Sequence, residues 1–209
     1  MDIQFYGANC IVISTKQVRL VIDDDLAARG GKSVTRPDDV CLFTAPQPEG
    51  FTSDGRMTIA MPGEYEVSGV SIHGLQSRSH MDEETERSAT MYKIVLGDAK
   101  VLVTGHVFPR FSDTKLEDIG MIDVMVLPVG GNGFTIDPVG ALQIIKQVEP
   151  KLVVPTYYED KDLKFEVPAT NLQDALKTMS MEPQETTKKL TVKSGEMTDT
   201  TQLVVLERS

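Results

Sequence analysis

The sequence predicts an α/β protein made of two β-sheets covered by helices. Short apolar segments separated by polar turns dominate roughly the first half of the chain, which is therefore expected to be rich in strands. From Val101 onward, segments with helical spacing are interspersed among apolar ones, so the second half combines strands with helices. The length of 209 residues suits one medium-sized domain, and no linker divides it, so we predict a single domain over residues 1–209.

The clearest unit is a strand, a helix and a second strand between residues 122 and 158. Ile122 to Leu127 form a nearly unbroken apolar segment, which is typical of a strand buried on both faces. Asp137 is placed to cap a helix whose first residue is Pro138, and apolar residues follow at helical spacing. Leu152 to Val154 form the second strand. Such connections are right-handed and join parallel strands, so both strands are expected to end at the same edge of one sheet.

The remaining elements are predicted from shorter signals. Gly97 and Asp98 separate two apolar segments, which indicates a hairpin. Pro62 to Tyr65 are interpreted as a turn between two strands, and residues 76–88 as an exposed polar loop. Strands are further predicted near residues 3–5, 10–14, 18–22, 40–44, 57–60, 67–72, 91–96, 100–104, 190–192 and 203–206, and helices near residues 114–119 and 170–179.

The candidate site is predicted in the loops that leave the strands, because ligands of such sheets bind beyond the carboxyl ends of the strands. Five loops qualify, at residues 23–25, 45–50, 105–106, 130–133 and 156–158. A pocket built from them requires that they converge.

Charge and cysteine content narrow the function classes. The formal net charge of −10 and the pI near 4.8 argue against nucleic-acid binding, which needs clustered Lys and Arg. No apolar segment approaches the length of a membrane span, so no membrane association is expected. Cys10 and Cys41 lie in apolar segments without a Cys-x-x-Cys motif, which predicts buried free thiols in a reducing compartment. The first residues lack the features of a signal peptide, and we expect a cytoplasmic protein.

A series of motifs resembles the metallo-β-lactamase superfamily, and within it the small zinc-dependent hydrolases related to ascorbate-6-phosphate lactonase. The resemblance covers roughly residues 1–158, and it implies an αββα sandwich of two mixed β-sheets between outer helices. The matching segments, in order, are Gly7 with Cys10–Ile13, Leu20–Asp23, Pro62–Tyr65, Gly69–Val70, His80, Leu116–Gly120, Asp123–Val124, Leu127–Gly131, Thr135–Asp137 and Pro150–Pro155.

The chain departs from this family at the metal ligands. The family's His-x-His-x-Asp-His motif is replaced by Ala45–Gly50, and the histidine usual near position 8 is Ala8. His106 stands where the family has a bridging aspartate, and Tyr157 where it has its last metal histidine. His80 alone keeps a position at which the family has a ligand histidine. The resemblance therefore predicts that the dinuclear zinc centre is absent.

Two functions from different classes follow. The preferred hypothesis is a non-catalytic binding or interaction module for a small molecule or a protein, without a cofactor, and in a homo-oligomer as relatives often are. The alternative is a metal-dependent hydrolase with a reduced site around His80, His106 and Glu49, which requires zinc. Its substrate, by resemblance, is a small ester, a phosphoester or a sugar lactone. No Gly-x-Ser-x-Gly motif or Cys–base pair supports nucleophilic catalysis.

Three further candidates each have a structural and a functional interpretation. Asp23 opens a run of three aspartates that suits either a hard cation or a solvated turn. Asn132 lies in the glycine-rich loop 130–133, which serves either to hold a phosphate or to pack a strand tightly against a helix. Tyr157 either contacts a ligand or fills the space of the missing zinc and histidine.

Overall fold

The computed structural model describes residues 1–193, 198 and 200–209. Its helices are α1 (Asp113–Ile119), α2 (Pro138–Val148) and α3 (Leu172–Met179). Its strands are β1 (Asp2–Gly7), β2 (Cys10–Ser14), β3 (Arg19–Ile22), β4 (Val40–Leu42), β5 (Met57–Ile59), β6 (Gly63–Val67), β7 (Val70–Ser77), β8 (Ala89–Leu96), β9 (Ala99–Val103), β10 (Val124–Pro128), β11 (Leu152–Thr156), β12 (Pro183–Thr187), β13 (Leu190–Thr191) and β14 (Gln202–Leu206).

Two mixed sheets face each other, as predicted. The six-stranded sheet has the order β13-β1-β2-β3-β4-β5, and the eight-stranded sheet has the order β12-β14-β11-β10-β9-β8-β7-β6. Apolar side chains from both sheets, from Ile3 on β1 to Leu206 on β14, meet in one buried core between them. The predicted strand–helix–strand unit is confirmed, since β10 and β11 pair in parallel with Val124 opposite Leu152.

The helices lie on one side of this sandwich. Side chains of α1, α2 and α3 pack with the outer face of the eight-stranded sheet in a second apolar cluster. The outer face of the six-stranded sheet is covered by loops instead, through residues such as Leu26, Val34 and Leu163. The segment between β3 and β4 is polar and interrupted by Gly30 and Gly31, so it lacks the apolar repeat of an amphipathic helix.

The structure confirms the predicted N-cap of α2. The Asp137 carboxylate accepts a hydrogen bond of 2.6 Å from the Gly140 backbone N–H, and Pro138 occupies the first helical position. None of the helices in the described part of the chain is long and apolar enough to cross a membrane.

Two local predictions were wrong. Gly63 to Val67, predicted in part as a turn, form β6, and the chain reverses directly after this strand, at Ser68 and Gly69. Both reversing residues have left-handed backbones, with φ of 52° and 75°, as two-residue hairpins favour. Strand β12 was not predicted, because four of its five residues are exposed and the segment has no apolar alternation.

Gly105 illustrates how tightly the loops meet at the end of β9. Its φ is +62°, and a Cβ built on it would lie 2.2 Å from Thr44 Oγ1. Gly97 has nearly the same φ, +59°, but a Cβ there would meet nothing within 4 Å. A comparison of alanine substitutions at the two positions therefore separates the cost of backbone strain from the cost of steric overlap.

We predict that Gly105→Ala lowers the free energy of unfolding more than Gly97→Ala does. The Gly97 variant bears only the left-handed strain of about 1–2 kcal/mol, whereas the Gly105 variant adds about 1–3 kcal/mol of overpacking. Urea denaturation of both variants measures the difference. Equal losses would show that the approach of Gly105 to Thr44 is not tight.

Candidate functional site

A buried polar network links the two sheets at the edge where the loops emerge. Asp23 Oδ1 accepts a hydrogen bond of 2.7 Å from the Thr44 backbone N–H, and Oδ2 accepts one of 2.6 Å from the Thr44 hydroxyl. Asn9 Nδ2 donates to Asp23 Oδ2 at 2.8 Å, and Asn9 Oδ1 accepts from the Thr156 hydroxyl at 2.7 Å. Asn9, Asp23 and Thr44 follow strands of the six-stranded sheet, while Thr156 ends β11 of the other. The network therefore fixes four strand ends relative to one another.

Burial raises the pKa of Asp23 from 3.8 to about 6, although the hydrogen bonds from Thr44 and Asn9 act in the opposite direction. The neighbouring aspartates have other partners. Asp24 Oδ2 accepts hydrogen bonds from residues 33–35, and Asp25 forms an ion pair with Arg29 at 2.6 Å. The three carboxylates do not converge on one cation, and they form structural contacts rather than a solvated turn.

The two histidines of the proposed reduced site are adjacent. The His80 backbone N–H donates to the His106 carbonyl at 2.7 Å, beside an antiparallel bridge between Ser79 and Val107. His106 Nδ1 is hydrogen-bonded to the Thr135 hydroxyl at 2.7 Å. His80 Nδ1 is buried and has no hydrogen-bond partner among the residues that the structure describes. Of the two Nδ1 atoms, that of His106 is thus hydrogen-bonded, and that of His80 is unsatisfied among the described residues.

An aromatic cluster surrounds His106. The Tyr157 ring lies edge-on to His106 at 4.7 Å between centroids, nearly parallel to Phe134 at 5.7 Å, and edge-on to Phe165 at 5.1 Å. Tyr157 itself is only 1 % exposed. Its backbone N–H donates to the Ala8 carbonyl at 2.7 Å, and its φ of 51° is left-handed. The strand end therefore directs the Tyr157 ring inward, against the imidazole.

Two charged residues that the sequence analysis did not select complete the cluster. The Tyr157 hydroxyl donates to Glu166 Oε2 at 3.0 Å, and the same carboxylate pairs with Arg29 at 3.0 Å. The Arg29 guanidinium lies 5.4 Å from the Tyr157 ring centroid and 5.7 Å from that of Phe165. Arg29 and Glu166 lie in polar loops 137 residues apart, and no local pattern in the sequence pairs them.

These surroundings change the protonation of His106. Burial, and next to it the positive charge of Arg29, lower the pKa of His106 from 6.5 to about 4. The pKa of Tyr157 is raised, first by burial and despite Arg29. At neutral pH the cluster therefore contains a neutral imidazole and a neutral phenol beside the paired Arg29 and Glu166.

The other two predicted site residues lie apart from this cluster. Glu49 is exposed on the loop that follows β4. Asn132 is also exposed, and its amide donates to the Pro168 carbonyl. A Cβ on Gly130 would lie 2.0 Å from the Tyr157 carbonyl oxygen, so this glycine allows the loop to pack closely on residue 157. The packing interpretation of the glycine-rich loop is therefore the one that the contacts favour.

The donor set does not fit the dinuclear zinc centre of the resembled family. Within residues 1–193, 198 and 200–209, no group of three or more His, Cys, Asp and Glu side chains is arranged to hold a metal ion. A zinc site needs about three or four such ligands. His80 and His106 supply two, and Tyr157 fills the neighbouring space.

We predict that the stability difference between wild type and Asp23→Asn depends on pH. A carboxyl whose pKa is raised on folding contributes stability below its unfolded pKa of 3.8, and this contribution is lost as the pH rises through about 6. Wild type should therefore lose stability relative to the variant across this window, by at most about 1.4 kcal/mol per pH unit. Urea denaturation at several pH values measures it, and a flat or rising difference would refute the raised pKa.

Comparisons with known proteins agree with this architecture. The family model of the β-lactamase superfamily domain matches residues 2–157. A metal-dependent hydrolase from Salinibacter ruber is 38% identical over 90 residues, which are 43% of this chain and 39% of the relative. A metal-dependent hydrolase from Thermococcus onnurineus is 30% identical over 139 residues, 64% of this chain and 59% of the relative. In both cases the match spans less than two thirds of the relative's length.

A solved structure shares the fold over almost the whole chain. It is a Thermotoga maritima protein assigned to the zinc-dependent hydrolases of the metallo-β-lactamase superfamily. The two chains are 22% identical and superpose with a TM-score of 0.75, covering 98% of this chain and 97% of the other. With two facing mixed sheets and a family match over residues 2–157, the chain belongs to the metallo-β-lactamase superfamily.

Proposed function

We propose that this protein is a non-hydrolytic member of the superfamily that binds a small molecule or a protein. The observation that carries the proposal is the position of Tyr157. Its ring packs edge-on against His106, at the place where the resemblance puts the last metal histidine. A phenol with a raised pKa is a poor replacement for imidazole as a metal ligand, because it stays protonated at neutral pH.

The position of Arg29 further supports this proposal. Its side chain is 8% exposed, and its guanidinium lies over the Tyr157 ring, which itself contacts His106. The guanidinium, which is paired with two carboxylates, and the Tyr157 ring fill space that a metal ion beside His106 would need. The ion pairs with Asp25 and Glu166 hold the guanidinium in place. An internal cation and an aromatic cluster thus occupy the region in which a metal ion would have to bind.

The second candidate is the metal-dependent hydrolase. Both relatives described above are metal-dependent hydrolases, and the buried, unsatisfied Nδ1 of His80 is a free donor beside His106. In this alternative, His80 and His106 hold a single zinc ion, and the loop that carries Glu49 folds inward to supply a third ligand. The substrate is then a small ester, phosphoester or sugar lactone.

The cellular setting is part of the proposal. Cys10 and Cys41 are both buried and unpaired, as expected of a protein in a reducing compartment such as the cytoplasm. A homo-oligomer is proposed from the resemblance alone, and light scattering of the purified protein tests it.

Metal content distinguishes the two functions. Protein purified without chelator, offered Zn²⁺ and desalted, is expected to retain far less than one ion per chain and not to hydrolyse p-nitrophenyl phosphate. His106→Ala and His73→Ala are matched variants, because His73 lies on β7 with a side chain 36% exposed, paired with Glu64 rather than with the cluster. The non-hydrolytic proposal predicts that neither substitution changes metal content or hydrolysis. One tightly held ion, lost in His106→Ala but kept in His73→Ala, would establish the hydrolase instead.

Substitution of Tyr157 tests its packing role. Tyr157→Phe keeps the ring and removes the hydrogen bond to Glu166, so it is expected to cost about 1 kcal/mol of stability. Tyr157→Ala empties the centre of the cluster and is expected to cost about 3–5 kcal/mol. Thermal and urea denaturation measure both. A Tyr157→Ala variant of unchanged stability would show that the ring does not support the site.

A further inference from the structure

A second cavity, outside the candidate site, is lined by basic side chains. It has a volume of 340 Å³ and lies between the end of β7, the start of β8 and the residues around the N-terminus of α1. Its lining includes Arg78, Arg87, Arg110 and Lys115, and Glu84 is the one acidic residue among its described lining residues. The described lining residues carry four positive charges and one negative charge in a chain whose net charge is −10, and Lys115 also pairs with Asp118 at 3.6 Å.

The three arginines retain their full charge for a ligand. Arg78 donates from Nε and Nη2 to the Asp82 carbonyl, at 3.2 and 3.0 Å. Arg87 Nη1 donates to two backbone carbonyls of the preceding loop, at 2.7 and 2.6 Å. Arg110 has no side-chain hydrogen bond within the part of the chain that the structure describes, and in that part no carboxylate forms an ion pair with any of the three arginines. Because carbonyl groups are neutral, these contacts orient the guanidinium groups without cancelling their charge.

Arg78 is also held in place for binding. Its guanidinium lies 4.0 Å from the centroid of the Phe108 ring, and its backbone carbonyl accepts a hydrogen bond of 2.9 Å from the Phe108 N–H. A guanidinium has five N–H donors. Arg78 uses one from Nε and one from Nη2 to bond the Asp82 carbonyl, so three donors remain for a ligand. A side chain that is already ordered loses little conformational entropy when a ligand binds.

We propose that this cavity binds a small molecule that carries a phosphate or diphosphate group. Planar guanidinium groups match the oxygens of phosphate through paired hydrogen bonds, and Lys115 adds a point charge. The volume lies within the range of small-ligand sites. The acidity of the whole chain opposes extended polyanions such as nucleic acid, whereas a small anion interacts mainly with the local cations.

The cavity is coupled to the candidate site through the backbone. Arg78 precedes the antiparallel bridge between Ser79 and Val107, and the next residue, His80, donates its N–H to the His106 carbonyl. An anion that binds Arg78 and Arg110 would bridge the two segments that carry these histidines. The inference does not rest on the proposed function, because different side chains form the two sites.

Calorimetric titration of the full chain with inorganic pyrophosphate, in magnesium-free buffer of constant ionic strength, tests the proposal. Arg110→Gln is the test variant, because this side chain has no hydrogen bond or ion pair to lose among the described residues. Arg56→Gln is its control, an exposed arginine that does not line the cavity. We expect saturable binding at one site per chain, weakened about tenfold in Arg110→Gln and less than about twofold in the control, as the loss of one charge-assisted contact requires.

A second pair of variants tests whether removal of a negative charge raises the affinity for pyrophosphate. Glu84→Gln removes the acidic side chain of the cavity and should tighten pyrophosphate binding, whereas Glu83→Gln removes an equal charge from the same loop outside the lining and should do so less. Thermal denaturation confirms that each variant is folded. Absence of saturable binding, equal effects of Arg110→Gln and Arg56→Gln, or equal effects of the two glutamate variants would each overturn the proposal.

Discussion

The site depends on one buried interaction: the Asp23 carboxylate accepts hydrogen bonds from Thr44 and Asn9. Asn9 extends this network to Thr156, so a single chain of bonds connects loops from both sheets. A buried carboxylate is unfavourable unless its oxygens are satisfied, and here burial outweighs the hydrogen bonds enough to raise the pKa. The network joins side chains of both sheets and the backbone N–H of Thr44, and it fixes the loops relative to one another.

On this framework an aromatic cluster and an ion pair surround His106. Tyr157, Phe134 and Phe165 supply apolar contact around His106, and Arg29 and Glu166 close the cluster with an ion pair beneath the phenol. These contacts support one another, because the aromatic rings accommodate the Arg29 guanidinium through cation–π contacts, and Glu166 accepts a hydrogen bond from Tyr157 while it pairs with Arg29.

The sequence predicted most of the fold because the strands are short apolar segments with clear boundaries. The strand–helix–strand unit and the Asp137 cap rest on local rules, and the structure confirms them. Strand β12 and the hairpin turn at Ser68 depend on tertiary context, which local patterns do not contain. The backbones of His80 and His106 are adjacent, and their place in one reduced site stays a prediction. The pairing of Arg29 with Glu166 joins loops distant in sequence that no local pattern relates.

The most direct test of the central claim is anomalous X-ray scattering at the zinc edge from crystals grown with excess Zn²⁺. The account predicts no anomalous peak within zinc–nitrogen bonding distance, about 2 Å, of the His106 or His80 ring nitrogens. It also predicts that Tyr157 remains packed on His106, with its hydroxyl bonded to Glu166. A zinc ion bound by both histidines, with Tyr157 displaced from the imidazole, would contradict the account and establish a reduced metal site.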